Sequence, residues 1–309
     1  MSVAEALARL DGFAVADEPL APRTTYKVGG AAAVFATPRT LDELRAVSAV
    51  AADTGLPVVV IGRGSNMLVA DAGVHGIVVS LAELCDDITI AGTDVTAGSA
   101  VPLPVLARRT VAAGLTGFEW AVGVPGTIGG ALRTNAGGHG SDMVACTTVV
   151  RLFDLRDGTV DAVSATALGL RFRGSDLADH HIVLDARLHL ARGDVQSGEA
   201  LLAEVVRWRR EHQPGGQNAG SVFINPVPGE LAAAELIDRL GLRGTRIGGA
   251  SVSDKHANFI QASEGATAAD VRAVMELVRS RVADETGIVL RSEVRLIGFA
   301  EGENEGGIR

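Results

Sequence analysis

Between Gly123 and Gly140 the chain reads Gly-Val-Pro-Gly-Thr-Ile-Gly-Gly-Ala-Leu-Arg-Thr-Asn-Ala-Gly-Gly-His-Gly, a stretch with seven glycines and almost no charge. Glycine lacks a Cβ, so it tolerates positive φ and lets another body approach the backbone, whose N–H groups can then form a nest for phosphate oxygens. Thr127, Thr134 and Asn135 add polar side chains to the same stretch. A second loop, Gly62-Arg63-Gly64-Ser65-Asn66, follows the apolar run Pro57 to Ile61. Two donor-rich loops suit a pyrophosphate held between them, as in a dinucleotide such as FAD. The competing explanation is that Gly129 and Gly130 serve only the close packing of two elements.

Three further polar sites have residue types able to act on a substrate, and each has an ordinary structural alternative. Arg173, in Arg171-Phe172-Arg173-Gly174-Ser175, can be a surface arginine. Ser221 follows Asn218-Ala219-Gly220 and precedes Val222-Phe223-Ile224-Asn225-Pro226, where a lone serine is commonly a turn or cap residue. Glu293 lies in Leu290-Arg291-Ser292-Glu293-Val294, where an acid among apolar neighbours needs a partner such as Arg291 or Arg295.

Gly62-x-Gly64 after a strand invites a Rossmann reading, but Met67 occupies the third glycine position and the following residues do not continue as a helix. The surrounding pattern is α+β. Thr40 and Glu43 form a capping-box pattern before the helical spacing of Leu41, Leu44, Val47 and Val50, and Gly55 stops the helix. Strands are expected at Pro57 to Ile61, Gly76 to Leu81 and Ile88 to Ala97, with a helix from Pro104 to Gly114. Thr148 to Leu190 is β-rich. Gly193 to Ser197 reads as a linker, followed by helices around Glu199 to Glu211, Leu231 to Leu240 and Thr267 to Gly287, then a strand from Ile288 to Ile297 and a frayed tail from Glu301.

A chain of 309 residues has material for two or three domains. Its net charge of −9 excludes a general nucleic-acid binder, which needs clustered Lys and Arg, while leaving room for a local anion site. Cys85 and Cys146 have no metal-type spacing and fit a reducing cytoplasm. Met1 to Ala14 reads as a short amphipathic helix rather than a signal peptide. No apolar run approaches the roughly 18 residues of a membrane span.

The motifs together resemble a known family. Gly62-Arg63-Gly64-Ser65-Asn66 with Asp71, Gly123-x-Pro125-Gly126-Thr127-x-Gly129-Gly130-Ala131 with Asn135-Ala136-Gly137, and Thr24-Thr25-Tyr26-Lys27-Val28-Gly29-Gly30 are similar to motifs of the UDP-N-acetylenolpyruvoylglucosamine reductases. The resemblance covers nearly the whole chain. It implies a vanillyl-alcohol-oxidase-type flavin domain of two α+β subdomains, at 1–80 and 81–192, a substrate domain at 193–290, and a final segment, 291–309, returning to the first. It also implies non-covalent FAD, NADPH as co-substrate, a UDP-sugar substrate and peptidoglycan precursor synthesis in the cytoplasm. FAD contacts are expected from Gly62 to Met67, Gly123, Pro125, Gly126, Thr127, Gly129, Gly130, Asn135, Ala136 and Gly137. By the same resemblance, Arg173 and protonated Glu293 stabilise an enolate, Ser221 donates the proton, and Asn225, Lys255 and His256 contact the substrate.

The chain departs from that pattern in several places. Phe172 stands where many members have Tyr, Ile224 where a Lys is common, and Arg133-Thr134 and Gly138-His139 replace more usual apolar and Tyr-containing forms. The short separation between Arg173 and Ser221 resembles the family's compact variant. Two rivals remain at this level: a related flavin oxidase with the flavin linked through a histidine such as His75 or His139, and a binding protein that has lost catalysis.

Overall fold

The structure is a computed structural model, and it describes residues 2–299. The tail expected to fray from Glu301 lies outside the described residues. Seven α-helices occur among those described: α1 (Val3–Arg9), α2 (Leu41–Thr54), α3 (Leu103–Ala112), α4 (Ile128–Thr134), α5 (Val195–His212), α6 (Ala233–Arg239) and α7 (Ala268–Thr286). None is long and apolar enough to cross a membrane.

The helix ends show why local sequence was informative. The Glu43 amide donates to Thr40 Oγ1 at 3.1 Å, Gly55 closes α2 at φ +71°, and Leu44, Val47 and Val50 are buried. The Glu43 carboxylate, however, accepts from the Arg39 amide and guanidinium, so the Thr40 end is a one-sided cap. At α7 the box is reciprocal between Thr267 and Asp270, and Val271, Val274, Val278 and Val282 form the buried stripe.

Three sequence expectations need correction. Ile88 to Ala97 is an antiparallel hairpin, Ile88–Ala91 with Asp94–Gly98, turned by Gly92 at φ +68°. Its alternation continues through the turn, which disguises two strands as one. Gly193 to Ser197 is not a linker throughout: α5 begins at Val195, with Asp194 Oδ1 accepting from the Ser197 amide and hydroxyl. Of Ile288 to Ile297, only Arg295–Ile297 is a strand; it pairs in parallel with Met67–Val69.

The chain forms two compact units. One comprises residues up to Ala16, Val34–Arg63 and Gly76–Arg209; the other comprises Asp17–Ala33, Gly64–His75 and the residues from Arg210 on. Stretches distant in sequence are joined by strand pairing: Arg295–Ile297, in the final segment expected to return to residues 1–80, pairs with Met67–Val69. The first unit holds two apolar cores. One gathers Leu10, Val34, Leu44, Ile77 and Phe153; the other gathers Leu106, Phe118, Trp120, Leu132 and Leu188. A five-stranded antiparallel sheet runs Val160–Ser164, Thr147–Asp154, His181–His189, Asp94–Gly98, Ile88–Ala91. The second unit has one core, in which the buried face of α7 joins Phe223, Ile237 and Ile260, and a three-stranded sheet Arg246–Ile247, Ala250–Val252, Ile260–Ala262.

Candidate functional site

Within the first unit the glycine stretch separates into residues the chain itself requires and residues it does not. A Cβ on Gly62 would lie 2.7 Å from Thr127 Oγ1, so this end of the shorter loop abuts the longer one. A Cβ on Gly129 would meet Ser99 Cβ at 3.0 Å, and one on Gly137 would meet Ser141 O at 2.6 Å. On Gly123 it would meet Val205 and Arg209 side chains at 3.0 Å. These four glycines satisfy the packing explanation. Gly130 is different: its Cβ would meet nothing closer than 3.9 Å, and at Gly138 nothing lies within 4 Å. Both residues leave backbone facing open space.

The α4 amides are not all available to a ligand. Ile128 N–H donates to Val101 O at 3.0 Å and Gly129 N–H to Ser99 O at 2.9 Å. Thr127, the N-cap residue, makes no side-chain cap, so its hydroxyl is not committed to the helix. Asn135 ends α4 in the left-handed region at φ 42° and is buried; its amide group donates to Asp142 and accepts from the Val144 N–H. It braces the loop. Ala136 continues that brace, donating to Ala131 O and accepting from Met143 N–H. Pro125 is exposed, and Gly126 O accepts from the Leu103 N–H that begins α3.

Arg173 reaches this same loop. Arg171 and Gly174 exchange two backbone hydrogen bonds, at 2.9 and 3.0 Å, around a turn that holds Arg173 at φ +54°. A left-handed arginine costs roughly 1–2 kcal/mol, a strain that folded proteins tend to retain at working residues. Its Nη2 donates to Gly137 O at 3.4 Å, and its guanidinium stands 5.3 Å from the Phe172 ring centre. Arg133 is a brace that sequence reasoning missed: from α4 its guanidinium donates to the carbonyls of Leu177, Ala178 and His181. His139, at φ +51°, packs edge-on against Trp208.

In the second unit the remaining polar residues converge on one hydrogen-bonded framework. Asn66 Nδ2 donates to Glu293 O at 2.9 Å, while Arg295 N–H donates to Asn66 O at 3.0 Å. Glu293 N–H then donates to Val222 O at 2.7 Å, next to Ser221. Val222 N–H donates to Asn258 O, and the Asn258 side chain both accepts from Phe223 N–H at 2.9 Å and donates to Phe223 O at 2.8 Å. Ser221 and Glu293 are half-buried on pinned backbone. Asn258 is the hub; in sequence it is an amide between Ala257 and Phe259, within the family-like block Lys255-His256-Ala257-Asn258-Phe259.

Other expected contacts have structural partners. Gly64, at φ +56°, sits so close to Arg23 that a Cβ would be 2.4 Å from its carbonyl oxygen, while Arg63 is exposed and Ser65 and Met67 are half-buried. Asp71 caps α7, accepting from Ala268 and Ala269 N–H at 2.8 and 2.9 Å. Asn225 Oδ1 accepts from Ala233 N–H at the start of α6. Lys255 Nζ donates to Arg210 O. His256 Nδ1 accepts from Asn258 N–H at 3.2 Å and its ring packs on Phe259; burial holds its pKa below the ordinary histidine value.

Residues 32–164 match the model of an FAD binding domain, and residues 212–297 match the C-terminal domain of UDP-N-acetylenolpyruvoylglucosamine reductase. The reductase of that name from Heliobacterium modesticaldum is 42% identical over 294 residues, covering 94% of this chain and 92% of the relative. The chain belongs to the UDP-N-acetylenolpyruvoylglucosamine reductase family. The Geobacter metallireducens reductase is likewise 42% identical, covering 94% of this chain and 96% of its own. The crystal structure of the Thermus caldophilus reductase is similar with a TM-score of 0.79 at 34% identity, covering 92% of this chain and 98% of that one.

Family membership makes the chain an FAD-dependent oxidoreductase and agrees with the α+β fold. The flavin-domain match contains both glycine loops, and the C-terminal match contains Ser221, Asn225, Lys255, His256 and Glu293; Arg173 lies outside both. The open backbone at Gly130 and Gly138 fits a cofactor that must approach closely.

Proposed function

We propose that this protein reduces UDP-N-acetylglucosamine enolpyruvate to UDP-N-acetylmuramate with NADPH, as a cytoplasmic step in making peptidoglycan precursors. Gly62 to Met67, with Gly123, Pro125, Gly126, Thr127, Gly129, Gly130, Asn135, Ala136 and Gly137, would hold FAD without a covalent bond. Bound FAD would supply two-electron chemistry between NADPH and the methylene carbon of the enolpyruvyl group. Negative charge then develops on the carboxylate-bearing carbon and its carboxylate. The Arg173 guanidinium and the acid form of Glu293 stabilise that charge through preorganised donors. Ser221 Oγ–H transfers its proton to the carbon, completing the lactyl group, and the oxygen recovers a proton from water. Asn225, Lys255 and His256 are assigned to the sugar nucleotide's side of the reaction.

The observation that carries this reading is the ladder from Asn66 through Glu293 to Val222, which fixes the backbone beside the proton donor and at the acid with the same set of bonds. Preorganisation of this kind is what charge stabilisation in a transition state requires. The test is anaerobic: reduce the bound flavin with NADPH, add the enolpyruvyl sugar nucleotide, and follow reoxidation. Substrate-dependent reoxidation is expected; its absence in fully flavin-loaded protein refutes the assignment. Ser221→Ala is expected to leave reduction by NADPH intact and to slow reoxidation about 10²-fold or more. Equal damage to both half-reactions would overturn the proton-donor role.

A further inference from the structure

The connection that carries Arg173 ends at two adjacent histidines that the proposed reaction does not use. Asp154 and His181 are direct partners across neighbouring antiparallel strands, and His180 precedes the second of them. One potential ligand atom from each of the three lies within 4.8 Å of the others. His180 Nε2 and Asp154 Oδ2 are 3.8 Å apart, and the two imidazole rings are 4.2 Å apart. The backbone beneath them is fixed, with Leu155 N–H donating to His180 O at 2.9 Å. Asp154 and His181 also line a cavity of about 160 Å³ that carries two more carboxylates, Asp161 and Asp176.

We propose that Asp154, His180 and His181 form a binding site for a borderline divalent cation such as Zn²⁺ or Co²⁺, in addition to the flavin chemistry. Two imidazoles and one carboxylate are a donor set these ions accept, leaving a fourth position for water. Ligand atoms around such an ion stand closer together than they do here, so modest side-chain movement completes the site. His180 and Asp154 are both half-buried. His181 Nδ1 is the acceptor of a long 3.3 Å bond from Ala178 N–H, which a metal or a change of tautomer displaces at little cost.

Two guanidinium groups face the site. Arg156 donates to both Asp154 oxygens, its amide to Oδ1 at 2.8 Å and its Nη2 to Oδ2 at 2.6 Å, and its side chain is 66% exposed. Arg133 donates to His181 O from the other side. The cation therefore competes with Arg156 for the carboxylate, and removing that arginine strengthens metal binding. A merely structural ion pair gives the opposite expectation for stability and none for metal.

The test uses the full-length, flavin-loaded protein, titrated with Co²⁺ and, by equilibrium dialysis, with Zn²⁺. One equivalent is expected to bind with the visible absorption of four-coordinate Co²⁺. His180→Ala and Asp154→Asn should each weaken binding about tenfold or more, while Arg156→Ala should tighten it. Flavin content and circular dichroism establish that each variant is folded. No stoichiometric binding, binding unaltered by His180→Ala and Asp154→Asn, or weaker binding in folded Arg156→Ala overturns the proposal.

Discussion

Gly129 and Gly130 are neighbours in sequence but have different surroundings, and alanine at each position separates chain packing from ligand approach. At Gly129 the added methyl meets Ser99 Cβ at 3.0 Å and Ser99 O at 3.3 Å. Overpacking of this kind costs about 1–3 kcal/mol. At Gly130 the nearest chain atom is 3.9 Å away, and neither overlap nor positive φ opposes the methyl. Alanine within a helix gains about 0.5–1 kcal/mol over glycine, so Gly130→Ala is expected to stabilise the flavin-free protein by roughly 1–4 °C in Tm. The same methyl occupies space assigned to FAD. If its overlap with the ligand costs about 1.4–2.8 kcal/mol, flavin affinity falls roughly 10- to 100-fold. The assay is thermal unfolding of both variants stripped of flavin, followed by fluorescence titration with FAD. A Gly130→Ala protein that binds FAD as tightly as the parent refutes the ligand-approach argument. A flavin-free form less stable than the parent refutes the reading of its local packing.

Other changes probe the second unit. Asn258→Ala leaves the Phe223 N–H and C=O without their side-chain partner, which should cost about 2–6 kcal/mol at roughly 1–3 per orphaned group; denaturant unfolding with less than about 0.5 kcal/mol lost would contradict its role as hub. In the folded fraction, substrate-dependent reoxidation should suffer more than reduction by NADPH, which half-reaction kinetics will read. His256 has a folded pKa below its unfolded one, so its contribution is present above the unfolded pKa and lost as pH falls through the folded value. Tm should therefore fall on acidification below about pH 6.5, and less so in His256→Asn; an identical pH profile would rule out this contribution. Burial raises the Cys85 and Cys146 thiols to about 11 and about 12, so a thiol reagent at neutral pH should label neither until the protein unfolds.

Local signals were reliable where the responsible residues lie within a turn or two of one another. Thr40 and Gly55, or Thr267 and Gly287, bound helices through contacts that sequence spacing encodes. The hairpin at Ile88 to Gly98 was less legible because apolar alternation does not reveal a reversal of chain direction. At the candidate site, the motifs nominated Asn66, Ser221 and Glu293, but nothing in their spacing shows that one backbone network ties their segments together. Asn258 was harder still, since an amide between Ala257 and Phe259 gains its meaning as a hub only from the backbone groups it satisfies.

Residue order alone supplies the chemical vocabulary: glycine loops for a dinucleotide, an arginine, a serine and an acid in family-like motifs, and helices with stop signals. Which of those residues also serve the chain follows from the folded arrangement. It gave Asp71 to α7 and Asn225 to α6, assigned Gly129 to packing against Ser99, and left Gly130 facing open space. The physical reason is that hydrogen-bond satisfaction and close contact are properties of atoms brought together from distant parts of the chain, whereas caps, turns and periodicity are properties of neighbours along it.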